Sequence, residues 1–470
     1  MKNIAFIASL AVITLMCQNV ASAASNTDIQ ALRSEIQNMK NAYEKRIIEL
    51  EKKLHSVEKN QATTQATIKE TKKEILNTQI LNNPNIAPVR QTPATARRNV
   101  FNNSFNPSIG IVFNGQFNQF SSDNGDMAGF AVGHESERPK QGFAVDHTEL
   151  NFSANVDDKF FGSTTMAIAQ HEGETEIELE EAFVQTQSGL GLPTGLFIKA
   201  GRAFWTLGYL NEHHNHVDDF VDRPLPYRSF IDGAFNDDGA EVSYLLPTDF
   251  YAEIGAGIFS GDRFPYAAST GDDVGAWSAF MRVGNDISDN QSWRLGGYVL
   301  SGKTGGERDS NDHGLEFNGD TNLYIADLRY SWAPNGNQHN QEFILQGEYF
   351  LRTEDGTYED TAASTGAVNF DKSSSGWYAQ AVYKFDQQWR IGTRYSQLNA
   401  ADVPTGLIGS TLDSQGHNPQ TYALMMDWTN SEFSRVRMQY NHEELSQGQK
   451  DDQLMVQYIM SIGAHGAHKY

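Results

Sequence analysis

From about Pro107 onward, apolar residues fall at every second position through a long series of short segments, the last of which carries Leu454, Val456, Tyr458, Met460 and Ile462 on one phase. A period of two belongs to strands whose faces meet different surroundings. If one face meets lipid and the other a polar lumen, no long apolar run is needed, and such strands close into a membrane barrel. Candidate strands lie at 107–119, 144–156, 159–170, 178–187, 195–205, 237–246, 250–260, 274–285, 291–302, 320–333, 341–352, 375–385, 388–398, 419–429, 433–443 and 452–463. The pattern predicts an all-β transmembrane barrel of about 16 antiparallel strands over 107–470. Tight turns such as Asp157-Asp158 and Asp386-Gln387 alternate with longer segments at 206–236, 303–319, 353–374 and 399–418, which puts both barrel ends on the periplasmic side. Trp205, Trp277, Trp293, Trp332, Trp377, Trp389 and Trp428 all fall near strand ends, where interfacial aromatic girdles are expected.

A different period rules the start of the chain. Ile29, Leu32, Ile36, Met39, Tyr43, Ile47, Leu50, Leu54 and Val57 step by three and four, with a stutter between Tyr43 and Ile47. This predicts an N-terminal α-helical coiled coil over 24–76, periplasmic, with Ile at several a positions leaning toward a homotrimer. The alternative is a lone amphipathic helix packed on another surface. Residues 77–106, with their Asn-Asn-Pro, Ala-Pro and Thr-Pro steps, read as a linker too short to be a plug domain, which disfavours energised uptake. Lys2, the apolar run Ile4 to Met16 and Ala21-Ser22-Ala23 predict a signal peptide over 1–23. The single cysteine, Cys17, lies inside it, so the mature chain would lack disulfides, thiolate metal sites and cysteine nucleophiles.

Composition agrees with a barrel. A mean hydropathy of -0.51 with 40 Gly is too polar for a helical membrane protein, whose spans need about 20 apolar residues each. The net charge is -23, although the first 98 residues hold 14 basic and 8 acidic groups, so the barrel is the more acidic part. Acidic outer segments, including Glu307, Glu354, Asp355, Glu359 and Asp360, concentrate cations, repel anions and exclude nucleic acid as a partner.

The strand phase that places Trp389, Ile391, Thr393 and Tyr395 on lipid sends Arg390 and Arg394 into the lumen. By the same phase Arg282, Arg294, Arg329, Arg352, Arg435 and Arg437 point inward, as do Glu178, Glu180, Asp327, Glu342, Glu348 and Asp427. Guanidinium rows offer bidentate sites to a carboxylate or phosphate solute, or else pair with neighbouring carboxylates to hold the barrel's shape. The long segment 206–236 is the candidate constriction loop, with Glu212, Asp218, Asp219, Asp222, Arg223 and Arg228 as its charged residues. His213, His214 and His216 in the same loop are candidate metal ligands, and also make it sensitive to mild acid; the alternative is a hydrogen-bonded loop stiffened by Pro224 and Pro226. No G-x-S-x-G elbow or Ser-His-Asp set accompanies these histidines, so an enzyme is not expected.

The stretches Asn211-Glu212-His213-His214, Asp222-Arg223-Pro224-Leu225-Pro226-Tyr227-Arg228 and Asn236-Asp237-Asp238-Gly239, with the closing Gly463-Ala464-His465-Gly466-Ala467-His468, resemble siderophore porins of the LbtU type, the legiobactin receptor family. The leading coiled coil is similar to that of dicarboxylate channels of the DcaP type. The resemblance implies a plug-free, TonB-independent outer-membrane barrel that takes up an iron chelate, with no resident cofactor beyond a transient iron chelate or zinc. Expected partners are the outer-membrane bilayer, a small solute such as a ferric siderophore, and two further copies of the chain. A general or dicarboxylate-type diffusion porin and a structural or adhesive outer-membrane protein remain the alternatives.

Overall fold

Alternating polarity becomes strand pairing in a computed structural model, which describes residues 107–463 apart from residues 137, 146, 172–173, 188–189, 267–273 and 309–313. All of these fall within one compact unit, Arg98–Tyr470. The expected signal peptide, coiled coil, linker and trimer contact, and the histidine-bearing end after Gly463, lie outside the described residues.

The sheet contains β1 (Ser108–Phe120), β2 (Gly142–Val145), β3 (Thr148–Asn155), β4 (Phe160–His171), β5 (Glu174–Thr186), β6 (Leu196–Phe204), β7 (Asn236–Leu245), β8 (Tyr251–Phe259) and β9 (Ala276–Ser288). It continues through β10 (Gln291–Glu307), β11 (Leu315–Trp332), β12 (Glu342–Asp360), β13 (Val368–Lys384), β14 (Trp389–Asn399), β15 (Gln420–Ser431), β16 (Ser434–Ser446) and β17 (Gln449–Gly463). β2 pairs with Gly115–Asn118 of β1, and β3 with Ser108–Val112, so the two are successive lengths of one wall position. The wall is therefore a 16-strand antiparallel barrel. β1 closes it against β17, leaving no edge with unpaired backbone groups, as a lipid-embedded sheet requires.

The two faces separate by phase. In β15, Tyr422, Leu424 and Met426 are 44–61% exposed, whereas Thr421, Ala423, Met425 and Asp427 are 1–4% exposed. β16 repeats this, with Met438 and Tyr440 outward and Arg437, Gln439, Asn441 and Glu443 buried. An apolar belt outside and a polar wall inside is the arrangement of a transmembrane barrel.

Two expectations are revised. The segments 303–319 and 353–374, expected as loops, are largely strand, because β10 to β13 run on for 17 to 19 residues each and rise as a tall polar hairpin wall. Their polar residues obscure the apolar alternation, while continuous pairing such as Gly305↔Asn318 and Asp320↔Asp355 satisfies the backbone. Glu354, expected in an outer loop, thus faces inward and pairs with Arg308 at 2.5 Å. Trp205 is fully buried instead of joining a girdle, its indole N–H donating to the Asp237 carbonyl at 2.8 Å. The other six tryptophans lie on strands, with Trp277 and Trp332 among the exposed apolar residues.

Leu424 tests the lipid face. Leu424→Arg is expected to destabilise the assembled barrel by about 2–4 kcal/mol, if it sits near the bilayer midplane, read as a lowered urea midpoint in the heat-dependent gel mobility of the folded band.

Candidate functional site

Residues 205–235, between β6 and β7, carry too many apolar side chains for a solvated loop, and they fold inward. Leu207, Phe220, Leu225, Phe230, Ile231 and Phe235 are all buried, several against wall residues Phe350, Tyr378 and Leu398. Pro224 and Pro226 begin a short helix, α1 (Leu225–Ile231), where proline's fixed φ suits the first turn. α1 packs on β12, β13 and β14 and stops at Asp232, which is left-handed at φ 53. Gly208, with φ +76, lets the loop meet the wall closely, since a Cβ there would lie 2.4 Å from Glu348 Oε2. That carboxylate accepts the Tyr209 N–H and the Tyr227 hydroxyl, each at 3.0 Å.

Charge ties the loop to walls all around the lumen. Glu212 pairs with Arg282 of β9. Asp219 pairs with Arg390 of β14 at 2.7 Å, and Asp222 with Arg394 at 2.7 Å. Arg228 reaches Glu443 of β16 at 3.0 Å. Arg435 and Arg437 donate to the His216 and Asp218 carbonyls at 2.5 and 2.7 Å. Arg223 serves the loop itself, donating to Asp218 and to the carbonyls of Leu210, His213 and Gly233. Of the remaining inward arginines, Arg294 pairs with Asp327, Arg352 with Glu354, and Arg329 bonds Gln346 and lies over the Tyr209 ring. All eight predicted arginines therefore face inward and are engaged, six of them with carboxylates.

Burial and pairing set the loop's protonation. Burial alone would raise the Asp219 and Asp222 carboxyls, but Arg390 beside the first and Arg394 beside the second outweigh it and hold both below the usual carboxylate range. Asp218 is raised by burial despite Arg223. Burial, with Glu135 nearby, pushes Asp232 up to about 7. Burial lowers His213, whereas at His214 the carboxylates of Glu149, Glu180 and Glu181 overcome burial and raise it well above the ordinary histidine value. The histidines thus respond in opposite senses: His213 favours the folded loop less as pH falls below its ordinary value, and His214 less as pH rises above it.

The three histidines do not converge. His213 bonds the Tyr209 carbonyl at 3.0 Å, whereas His214 and His216 meet at Glu149, at 3.3 and 2.8 Å. His214 also lies 3.3 Å from Glu180 and 3.0 Å from Glu181. Glu149 and Glu181 were missed by the sequence reading. Period-two phase from Leu150 and Phe152 points to Glu149, but Glu181 follows Glu180 directly and joins it only through a bulge in β5.

Two cavities flank this cluster. The larger, about 810 Å3, lies toward the short-turn end and is lined by residues including Glu181, Glu212, Glu241, Glu253, Lys199, Arg282 and His213. The smaller, about 460 Å3, lies toward the long-loop end and is lined by residues including Glu135, His147, Glu178, Glu180 and Asp232. Glu149, Phe204 and His214 line both.

No protein-family model matches the chain. An uncharacterised protein of Aquifex aeolicus is 28% identical over 354 residues, 72% of each chain. Among solved structures, the outer-membrane channel DcaP of Acinetobacter baumannii is 12% identical with a TM-score of 0.49, over 75% of this chain and 96% of that one. An anion-selective porin from Comamonas acidovorans is 11% identical with a TM-score of 0.47, over 76% and 99%. The barrel assignment above rests on the strand pairing itself.

If the paired arginines hold the loop across the lumen, Arg390→Ala with Arg394→Ala leaves Asp219 and Asp222 without their cations, and the single-channel conductance in planar bilayers should rise at least severalfold or become noisy. An unchanged trace would mean that the loop is held by its apolar face alone. Asp232 gives a pH test. Its folded pKa lies above the unfolded value, so its contribution is fully present near pH 4 and lost as pH rises toward about 7. The melting temperature of Asp232→Asn minus that of the unmodified chain should therefore climb between pH 4 and 7 and then level off; a flat difference would exclude a raised Asp232 carboxyl.

Proposed function

We propose that the chain is an outer-membrane porin whose lumen is divided by an infolded loop and whose passage prefers cationic solutes, metal species among them, to anions. The observation that carries this is the lining of the two cavities. The larger holds five carboxylates against three Lys and Arg, and the smaller five, Asp232 with its pKa at about 7 among them, against one, with the cationic His214 between the two. A low-dielectric wall bearing one sign of charge concentrates counter-ions at the mouth and along the path. The apolar outer belt supports the membrane setting, and the strong internal pairing of the loop supports a narrow passage over a wide one.

The ferric-siderophore reading fits inside this proposal as a specialised case. A ferric polycarboxylate would compete with Asp219 and Asp222 for Arg390 and Arg394, displacing charge-assisted bonds of 2.7 Å. A neutral or cationic metal complex meets no such competition, so the linings favour it over an anionic chelate or a dicarboxylate.

The test is the zero-current potential of the purified chain in planar bilayers across a KCl gradient. Potassium preference is expected, and chloride preference would overturn the proposal. A ferric carboxylate siderophore added to the long-loop side distinguishes the specialised case, which requires saturable block at concentrations where succinate has no effect.

A further inference from the structure

We infer that Glu149, Glu180 and His214 form a binding site for a divalent first-row transition-metal cation at the wall shared by the two cavities. The inference rests on reading those cavities as consecutive parts of one passage, and it differs from the simple set of three loop histidines.

The site begins with a bulge. β4 and β5 pair Thr165 with Glu181 but Met166 with Leu179, so Glu180 is the extra residue. A bulge places two successive side chains on one face, which ordinary alternation forbids. Glu180 and Glu181 therefore both reach His214 from one strand, while Glu149 reaches it from β3.

Distances assign the roles. His214 Nδ1 lies 3.3 Å from Glu149 Oε2 and 3.3 Å from Glu180 Oε2. Ligands bound at about 2.0–2.2 Å in tetrahedral geometry stand roughly that far apart. The other ring nitrogen, Nε2, lies 3.0 Å from Glu181 Oε2, which orients the imidazole with Nδ1 toward the ligand position. This is the carboxylate–histidine–metal arrangement. His216 Nδ1 holds the second oxygen of Glu149 at 2.8 Å in the same supporting manner.

A second observation points the same way. His214 Nδ1 and Glu180 Oε2 are sealed from solvent and stand 3.3 Å apart, yet neither makes a well-formed hydrogen bond. Buried polar atoms are costly when unsatisfied, and these two are aimed at one another across the position a cation would take. Three protein ligands leave a fourth position for water or a solute group, as in exchangeable sites more than closed structural ones. Since Glu149 and His214 line both cavities, a cation held there would stand in the wall that the two share.

The full chain, purified in detergent micelles, should bind Zn2+ at one site by titration calorimetry, Mn2+ more weakly, and Mg2+ not measurably, following imidazole and carboxylate preference. Glu180→Gln and His214→Ala should each weaken Zn2+ by at least about tenfold, and the positioning change Glu181→Gln by about tenfold. His442→Ala, at a histidine on another strand, controls for adventitious binding and should leave the affinity unchanged. Heat-dependent gel mobility reports whether each barrel is folded; if His214→Ala fails that check, the isosteric Glu180→Gln carries the result. No Zn2+ binding, or binding indifferent to both changes in folded protein, would overturn the site. Potassium preference in an unmodified chain that binds no Zn2+ overturns this inference alone, whereas chloride preference with intact Zn2+ binding overturns the porin proposal alone.

Discussion

Charged side chains that cannot reach bulk water must find partners inside the lumen, and the infolded loop is the partner the barrel wall uses. Arg390 joins Asp219 of the loop at 2.7 Å to Asp427 of β15 at 2.5 Å, so one guanidinium is shared between loop and wall. Removing either side of such a buried pair leaves an uncompensated charge, which is far more costly than the net worth of the pair. The loop's course is thereby constrained from several directions at once, by β9, β12, β14 and β16. Its apolar face supplies burial, and its charges select where that face rests.

This division of labour changes what the arginines mean. A row of unpaired guanidinium groups would be a ladder for anions. The same groups paired with Asp219, Asp222 and Glu212 become part of the scaffold, and the charge left to line the open volumes is mainly carboxylate. Sequence phase put each arginine on the correct face, but phase says nothing about what stands opposite. The loop residues opposite them are more than 50 positions away in the chain in every case except those within the loop itself.

Most of the barrel wall was legible beforehand because lipid and lumen impose their contrast on every second residue. Where that contrast fades the reading fails: β10 to β13 extend well past the expected strand ends, since polar residues there serve a hydrogen-bonded wall as well as they would serve a loop. Trp205 failed for a related reason. Its position near a strand end suited an interfacial girdle, yet the strand ends at Phe204 and the indole turns into the core beside Phe259.

By itself, then, the chain's alternation determined the strand number, the inward face of the eight arginines and of part of the carboxylates, and the position of the long segment between β6 and β7, because each follows from local period or segment length. Only tertiary structure decided that His214 and His216, but not His213, meet Glu149, and that the bulge at Glu180 sets two carboxylates on one imidazole. The physical reason is that phase is a property of neighbours along a strand, whereas a site is a property of distances across a closed barrel. A one-residue bulge or a loop folded inward alters those distances without leaving a mark in the period.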